Sequence, residues 1–247
     1  MMQIQPEYCK CEEYLSFALE KGLEFEVLEL SMFPRNGEEI KEWYKNTGLV
    51  KSLHGAFIDM NPVSNDEAIA SVSRERYEES CKIAVLLGAE NVVFHSTCYP
   101  FLRGKYLESW AQKSAEYHIS LAEKYGLNIF IENSFDVDTT PLAELMKRAN
   151  DRRVRVCLDI GHANYSRVPV EQWFYDLGEY IGYLHLSDNV GCFDEHMALG
   201  TGTIDFFRVS ELCKSLEKNT PMTLEVGGIN SIKKSVEFMQ NNRLFGM

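Results

Sequence analysis

Three pieces of sequence between Val154 and Glu225 decide the fold: VRVCLDIGHAN (residues 154–164), YLHLSDNVGCFDEHMALGTGTIDF (183–206) and TLEV (223–226). Each begins as a short apolar run and soon meets an acid or a histidine. Asp159 and His162 follow the first run. His185 ends the second, with Asp194 and His196 in the loop beyond it, and Glu225 follows the third. A short apolar run that stops on a polar residue is how a buried parallel strand reaches its active-site face.

The same punctuation extends outward through the chain. Strands are expected at Gln3–Gln5, Phe25–Leu30, Leu49–His54, Asn91–His95, Asn128–Glu132, Val154–Asp159, Tyr183–His185 and Thr223–Glu225. Between them, apolar residues recur at helical spacing over Tyr8–Lys21, Glu38–Lys45, Asp66–Leu87 and Lys105–Tyr125. Further helices are expected at Pro141–Ala149, Pro169–Leu177, Ile204–Leu216 and Ile229–Asn241. Glycines 22, 88 and 126 are placed to stop helices, Asn65 to cap one, and Pro141 to start one. Strictly alternating strand and helix, with no linker, repeat array or low-complexity tract, predicts one closed (β/α)8 barrel in the α/β class, a single domain over residues 1–247.

The bulk numbers agree. A chain of 247 residues with 45% hydrophobic and 25% charged residues can bury a full core. No apolar run approaches the roughly 20 residues that span a bilayer. The opening MMQIQPEYCKCEE has neither the basic nor the apolar region of a secretory signal. Seven scattered cysteines without a CxxC pair suit the reducing cytoplasm rather than a disulfide framework. A formal charge of −12 disfavours unguided contact with polyphosphate, although bound cations would offset part of it locally.

In such a barrel the strand ends converge on one mouth. They bring His54, His95, Glu132, Asp159, His162, His185, Asp194, His196 and Glu225 together. A lone histidine at a strand end is usually a satisfied polar residue, Asp159 could cap a helix, and Asp194 could order a turn. Five of the six histidines fall at these ends or in the loops after them, and only His118 lies mid-helix, as surface or packing. Carboxylates and imidazoles massed in this way repel one another unless cations bind, and the donor set suits Zn, Mn, Fe or Co.

With LHGAF, VVFHST, IENSF, CLDIGHAN, LHLSDN, DEHMALGTGTIDF and TLEV in place, the chain resembles the xylose-isomerase-like TIM-barrel superfamily, over nearly its whole length. That superfamily holds sugar-phosphate isomerases and epimerases as well as AP endonucleases of the endonuclease IV type, so the resemblance implies two chemistries. Likeness to keto-sugar epimerases implies one divalent ion (Mn, Mg, Co or Zn) on Glu132, Asp159, His185 and Glu225. Glu132 and Glu225 would act as the acid–base pair across an enediolate, and His162 would contact substrate oxygens. Those epimerases carry an arginine shortly after the strand-seven histidine, where this chain has Val190-Gly191-Cys192, so their substrate contacts transfer poorly. Likeness to endonuclease IV implies that all nine residues hold three zinc ions for phosphodiester hydrolysis.

The expected cofactors are therefore one to three divalent ions. A small sugar, sugar phosphate or phosphoester is the expected substrate. Isomerisation or epimerisation is preferred, because the chain is short for an endonuclease IV, its first loop PEYCKCEE is not basic, and no basic stripe is visible. Nucleic acid and homo-oligomerisation stay open as partners. A non-enzymatic metal-binding protein is the remaining class. Arg152, Arg153 and Arg155 are expected as solvated surface on the opposite face. Arg103 and Lys105, and Arg167 beyond them, are the candidates for holding a substrate phosphate. Tyr99, Phe101, Phe135 and Tyr165 follow strand ends, where they either line a pocket or anchor loops.

Overall fold

The computed structural model describes residues 1–7, 10–29 and 37–247. Eight parallel strands close on themselves in sequential order: β1 (Met2–Ile4), β2 (Glu24–Leu28), β3 (Val50–His54), β4 (Asn91–His95), β5 (Asn128–Glu132), β6 (Val154–Asp159), β7 (Ile181–Leu186) and β8 (Met222–Leu224). Closure is made by β1 pairing with β8, with Gln3 opposite Thr223. The expected barrel is therefore the observed one.

Helices α1 (Cys11–Lys21), α2 (Gly37–Thr47), α3 (Glu67–Leu87), α4 (Lys105–Tyr125) and α5 (Thr140–Ala149) follow the first five strands. Beyond β6 come α6 (Ile160–Tyr165) and α7 (Val170–Leu177), then α8 (Phe206–Cys213) and α9 (Gly228–Asn242) after the last two strands. The reason for helix is plain in α4. Leu107, Trp110, Ala111, Ser114, Ala115, His118, Leu121 and Ala122 form a buried stripe at three- and four-residue spacing, and Gly126 ends it in the left-handed region.

Several expected boundaries shift. Asp66, not Asn65, caps α3, its side chain accepting from the Ala68 amide. Helix α8 is shorter than Ile204–Leu216: it starts at Phe206, where Asp205 caps it by accepting from the Arg208 amide, and ends at Cys213. Strand β8 stops at Leu224, which leaves Glu225 just past its end. The short α6 is not among the expected helices. Residues 8 and 9 of the first expected helix and residue 30 of the second expected strand lie outside the described residues.

Strand alternation places the site. Ser52, Val93, Phe130, Cys157, Tyr183 and Thr223 each stand two residues below a site residue: His54, His95, Glu132, Asp159, His185 and Glu225. Side chains two apart share a face, so one inward layer carries the next. Val93, Phe130, Cys157 and Tyr183 form a small apolar cluster separate from the main core between sheet and helices. On the opposite face Arg152 is exposed and Arg153 pairs with Asp151. Arg155 departs from the expected solvated surface. Its guanidinium donates to the Ile181 carbonyl oxygen and pairs with Glu217, and its stem runs beside Gly182.

Candidate metal centre

Strand register fixes which residues meet. His95 pairs with Glu132 across β4–β5, and Asp159 with His185 across β6–β7. One donor atom each from Glu132, Asp159, His185 and Glu225 falls within 4.8 Å of the others. His185 Nδ1 stands 2.7 Å from Glu225 Oε2, 3.3 Å from Glu132 Oε2 and 3.9 Å from Asp159 Oδ2. No hydrogen bond forms along these approaches. Both Glu132 oxygens, Asp159 Oδ2, Glu225 Oε2 and His185 Nδ1 are buried polar atoms without a hydrogen-bond partner. Leaving one such atom unsatisfied costs about 1–3 kcal/mol, and more when it is charged. One such atom from each of four residues lies within reach of the others, an arrangement a cation would satisfy, so the residues present fit a divalent ion.

The histidines are oriented in the manner of metal ligands. His54 Nδ1 donates to the Gly55 carbonyl oxygen (3.1 Å), His162 Nδ1 to that of Asn133 (2.7 Å) and His196 Nδ1 to that of Glu225 (2.7 Å). A carbonyl only accepts, so each Nδ1 carries a hydrogen, and in the neutral ring each Nε2 would offer its lone pair to an ion. His162 Nδ1 also lies 3.2 Å from Glu132 Oε1, but its hydrogen is already committed. His185 is turned the other way. Its Nε2 meets the Glu26 carboxylate at 3.1 Å, which frees Nδ1 for the centre.

Two further groups flank the four. His54, His95 and Glu132 form a second set of donor atoms within 4.8 Å of one another. His54 Nε2 lies 3.3 Å and His95 Nε2 3.6 Å from Glu132 Oε2. On the other side Asp194 Oδ2 stands 3.2 Å from His162 Nε2 and 2.8 Å from His196 Nε2. All nine residues expected at the mouth are thus brought together there. Asp159 does both things open to it: Oδ1 caps α6 by accepting from the His162 amide at 2.6 Å, and Oδ2 faces the centre.

Electrostatics within the cluster are strongly coupled. Burial raises the Glu132 carboxyl, but the adjacent His95 and His185 imidazoles outweigh it and hold Glu132 well below the usual carboxylate range. Glu225, raised by burial and lowered more by His185, is brought down to about 2. Asp159 goes the other way, up to about 6, because burial outweighs the pull of His162. Burial takes His95 down to about 4. Burial also opposes charge on His196, but Asp194 and Glu225 lift it to about 9. Without a cation, imidazolium protons balance the carboxylates, and a bound divalent ion would displace those protons.

Beneath the centre lies a layer that the sequence reading missed. Glu26 is fully buried in β2. It accepts from Tyr183 Oη at 2.6 Å, Gln5 Nε2 at 2.8 Å and Thr223 Oγ1 at 3.0 Å, besides meeting His185. Gln5 Nε2 also donates to Glu225 Oε1 at 3.1 Å, so one amide steadies two site carboxylates. Asn133 ties β5 to β6, donating to the Asp159 carbonyl oxygen and accepting from its amide. Asp188, also buried, accepts from the amides of Asn189, Gly200, Gly202 and Ile204 and so braces the loop carrying Asp194 and His196. The available signal was an acid inside an apolar strand (FEVLEL) and another at a strand end (LHLSD).

Arg103 is paired with Asp138 at 2.8 Å and is half exposed, Lys105 is exposed at the start of α4, and Arg167 lies over the Phe101 ring.

Fold and site together define a (β/α)8 barrel whose mouth carries histidine and carboxylate groups that could hold a metal ion. A family model described as Xylose isomerase-like TIM barrel matches residues 17–242, and the chain belongs to that family. An uncharacterized protein of Methanocaldococcus jannaschii is 27% identical over 218 residues, covering 84% of this chain and 74% of its own. Among solved structures, a Thermus thermophilus protein soaked with ZnCl2 superposes with a TM-score of 0.81 at 23% identity, covering 97% of this chain and 96% of its own. A D-tagatose 3-epimerase-like protein gives 0.79 at 24% identity with the same coverage. At these identities the structural likeness is one of fold. No helix among the described residues is long and apolar enough to cross a membrane.

Proposed function

We propose that this protein is a metal-dependent isomerase or epimerase that moves a proton on a small sugar or sugar derivative. The observation that carries the reading is the four-residue group of Glu132, Asp159, His185 and Glu225, whose facing donor atoms are buried and have no hydrogen-bond partner. Fold relatives named as sugar epimerases, including an L-ribulose 3-epimerase and a D-allulose 3-epimerase, support it. A divalent ion bound there would supply Lewis acidity toward a carbonyl and its neighbouring hydroxyl.

The chain's own residues do the rest. Glu132 and Glu225 extend from β5 and from just past β8, so they approach a substrate from different sides. Both are held as carboxylates, one to remove the proton beside the carbonyl and the other to return it. His162 keeps Nε2 toward the mouth, where it can hold a substrate oxygen. His185 is positioned through Glu26.

The flanking groups favour a second reading, phosphoester hydrolysis over more than one ion, because a one-ion proton transfer gives no role to His54 with His95, or to Asp194 with His196. One experiment separates the two. Protein loaded with Mn2+ or Zn2+, its ion content counted, is incubated in D2O with ketoses and their phosphates, and in parallel with a phosphodiester. Deuterium entering beside the carbonyl, lost in Glu132→Gln and in Glu225→Gln, supports proton transfer. Phosphodiester cleavage with near three ions per chain and no exchange would overturn it.

A further inference from the structure

Beside the metal face lies a cavity of about 350 Å³ that the proposed chemistry leaves unused. Small-molecule sites span about 300–1,000 Å³, so its volume suits one small group rather than a whole oligosaccharide. It opens between the loops after β3, β4 and β5, and His95 belongs to both it and the metal face. Phe57 forms the shared wall. Its ring centroid lies 4.6 Å from that of His95 and 5.0 Å from that of His54.

The outer part of the lining is apolar, with Met60, Ile69, Pro100 and the rings of Tyr99 and Phe135, while Asn61, Ser96 and Thr97 add polar atoms to the wall. Tyr99 and Phe135 are 69% and 72% exposed. Scattered exposed hydrophobics are ordinary, but two large rings on separate loops facing one cavity next to a buried polar centre are not scattered. No lysine or arginine lines the cavity among the described residues, and Asp59 does, so an anionic group would find a carboxylate there.

We infer that this cavity is a subsite for a neutral, planar, apolar group carried by the substrate, so that the molecule turned over is an aryl- or similarly substituted sugar rather than a free sugar or a sugar phosphate. The inference rests on the metal-bound sugar reading only for what lies next door. The flat rings of Tyr99 and Phe135 stack on a planar group from outside and Phe57 meets it from the metal side. The site then selects for the substituent by burying apolar surface that water otherwise covers.

The test uses the full chain, loaded with Zn2+ and, separately, stripped by chelation. Four probes are titrated calorimetrically: phenyl β-D-glucopyranoside, methyl β-D-glucopyranoside, glucose 1-phosphate and phenol. Phenyl glucoside is expected to bind about tenfold more tightly than methyl glucoside. That ratio should collapse in the double variant Tyr99→Ser/Phe135→Ser, whose thermal melting should match the parent because both side chains are exposed. Equal affinities, a ratio that survives the double substitution, tighter binding of glucose 1-phosphate than of phenyl glucoside, or no binding of any probe would each overturn the subsite. The reading next door fails separately. If methyl glucoside binds equally with and without Zn2+ while phenol still binds the parent and not the double variant, the metal-bound sugar is wrong and the subsite stands.

Discussion

At the scale of single residues the most informative side chain is Glu26. Its carboxylate is fully buried, yet Tyr183, Thr223, Gln5 and His185 surround it with donors. Burial opposes its charge, but His185 more than compensates and keeps its pKa below the ordinary value. A glutamine there would set an NH2 group against donors and leave the His185 ring orientation unspecified. Glu26→Gln should weaken divalent-ion affinity about 10- to 100-fold, the usual cost of losing such a partner to a ligating histidine. Competition against a chelating dye measures this, and the visible bands of the Co2+-loaded protein should shift. Unchanged affinity and bands would remove Glu26 from any positioning role.

His118 offers an independent residue-scale prediction, far from the metal face. It is packing, not surface: its ring lies among Tyr77, Phe94 and Tyr117, Nδ1 approaches the Ser114 carbonyl oxygen, and Nε2 is buried without a partner. Burial takes its pKa down to about 4. The folded value lies below the unfolded value of about 6.5, so between these pH values the unfolded chain holds more protons. Stability is then complete above pH about 6.5 and falls as pH drops toward 4, by roughly 3 kcal/mol from this group. Urea unfolding of the parent and of His118→Leu at several pH values should show the difference closing by that amount in acid. Parallel pH curves would sink the assignment.

At the scale of elements, the segment from β7 to α8 carries the outer site residues on a loop that Asp188 braces through four backbone amides. Gly202 is where that bracing leaves no room. A Cβ there would sit 2.3 Å from the Asn189 carbonyl oxygen and 2.4 Å from Asp188 Oδ1. Gly202→Ala should therefore cost about 1–3 kcal/mol by overpacking and displace Asp194 and His196. The four-residue centre on β5 to β8 should still bind its ion. The variant should melt earlier and hold fewer ions per chain than the parent wherever the parent holds more than one. An unchanged melt and ion count would show that the loop tolerates the methyl group.

The same loop shows why some of the site was legible in sequence and some was not. The nine donor residues could be named because barrel geometry alone brings strand ends to one mouth. What orients them could not, since Glu26 and His185 are 159 residues apart and meet only across the closed barrel. In FEVLEL the acid at Glu26 imitates a strand residue facing water, whereas here it is buried in the polar interior under the site. The short α6 escaped because its six residues, IGHANY, lie inside a run already assigned to ligands.

At the scale of the whole molecule, the centre gathers residues at or just past the ends of four consecutive strands, β5 through β8, in a chain of formal charge −12. A cation that binds this arrangement, and not the unfolded chain, pulls the equilibrium toward the closed barrel. At a free concentration a hundred times its dissociation constant, one site adds about 2.7 kcal/mol. For a chain of this size each kcal/mol shifts the melting temperature by roughly 2–4 °C, so saturation should raise it by about 5–11 °C and chelation should reverse the gain. The shift should keep growing with ion concentration after the site is nominally full, because the linkage is logarithmic. Glu132→Gln, which removes a donor common to the four-residue centre and the His54–His95 group, should melt with little dependence on added ion. A parent whose melting ignores Mn2+, Zn2+, Co2+ and Mg2+ alike would mean that the five unpartnered atoms at the mouth are satisfied by something other than a cation. The proton-transfer and hydrolytic readings would then fall together, because both require an ion on Glu132.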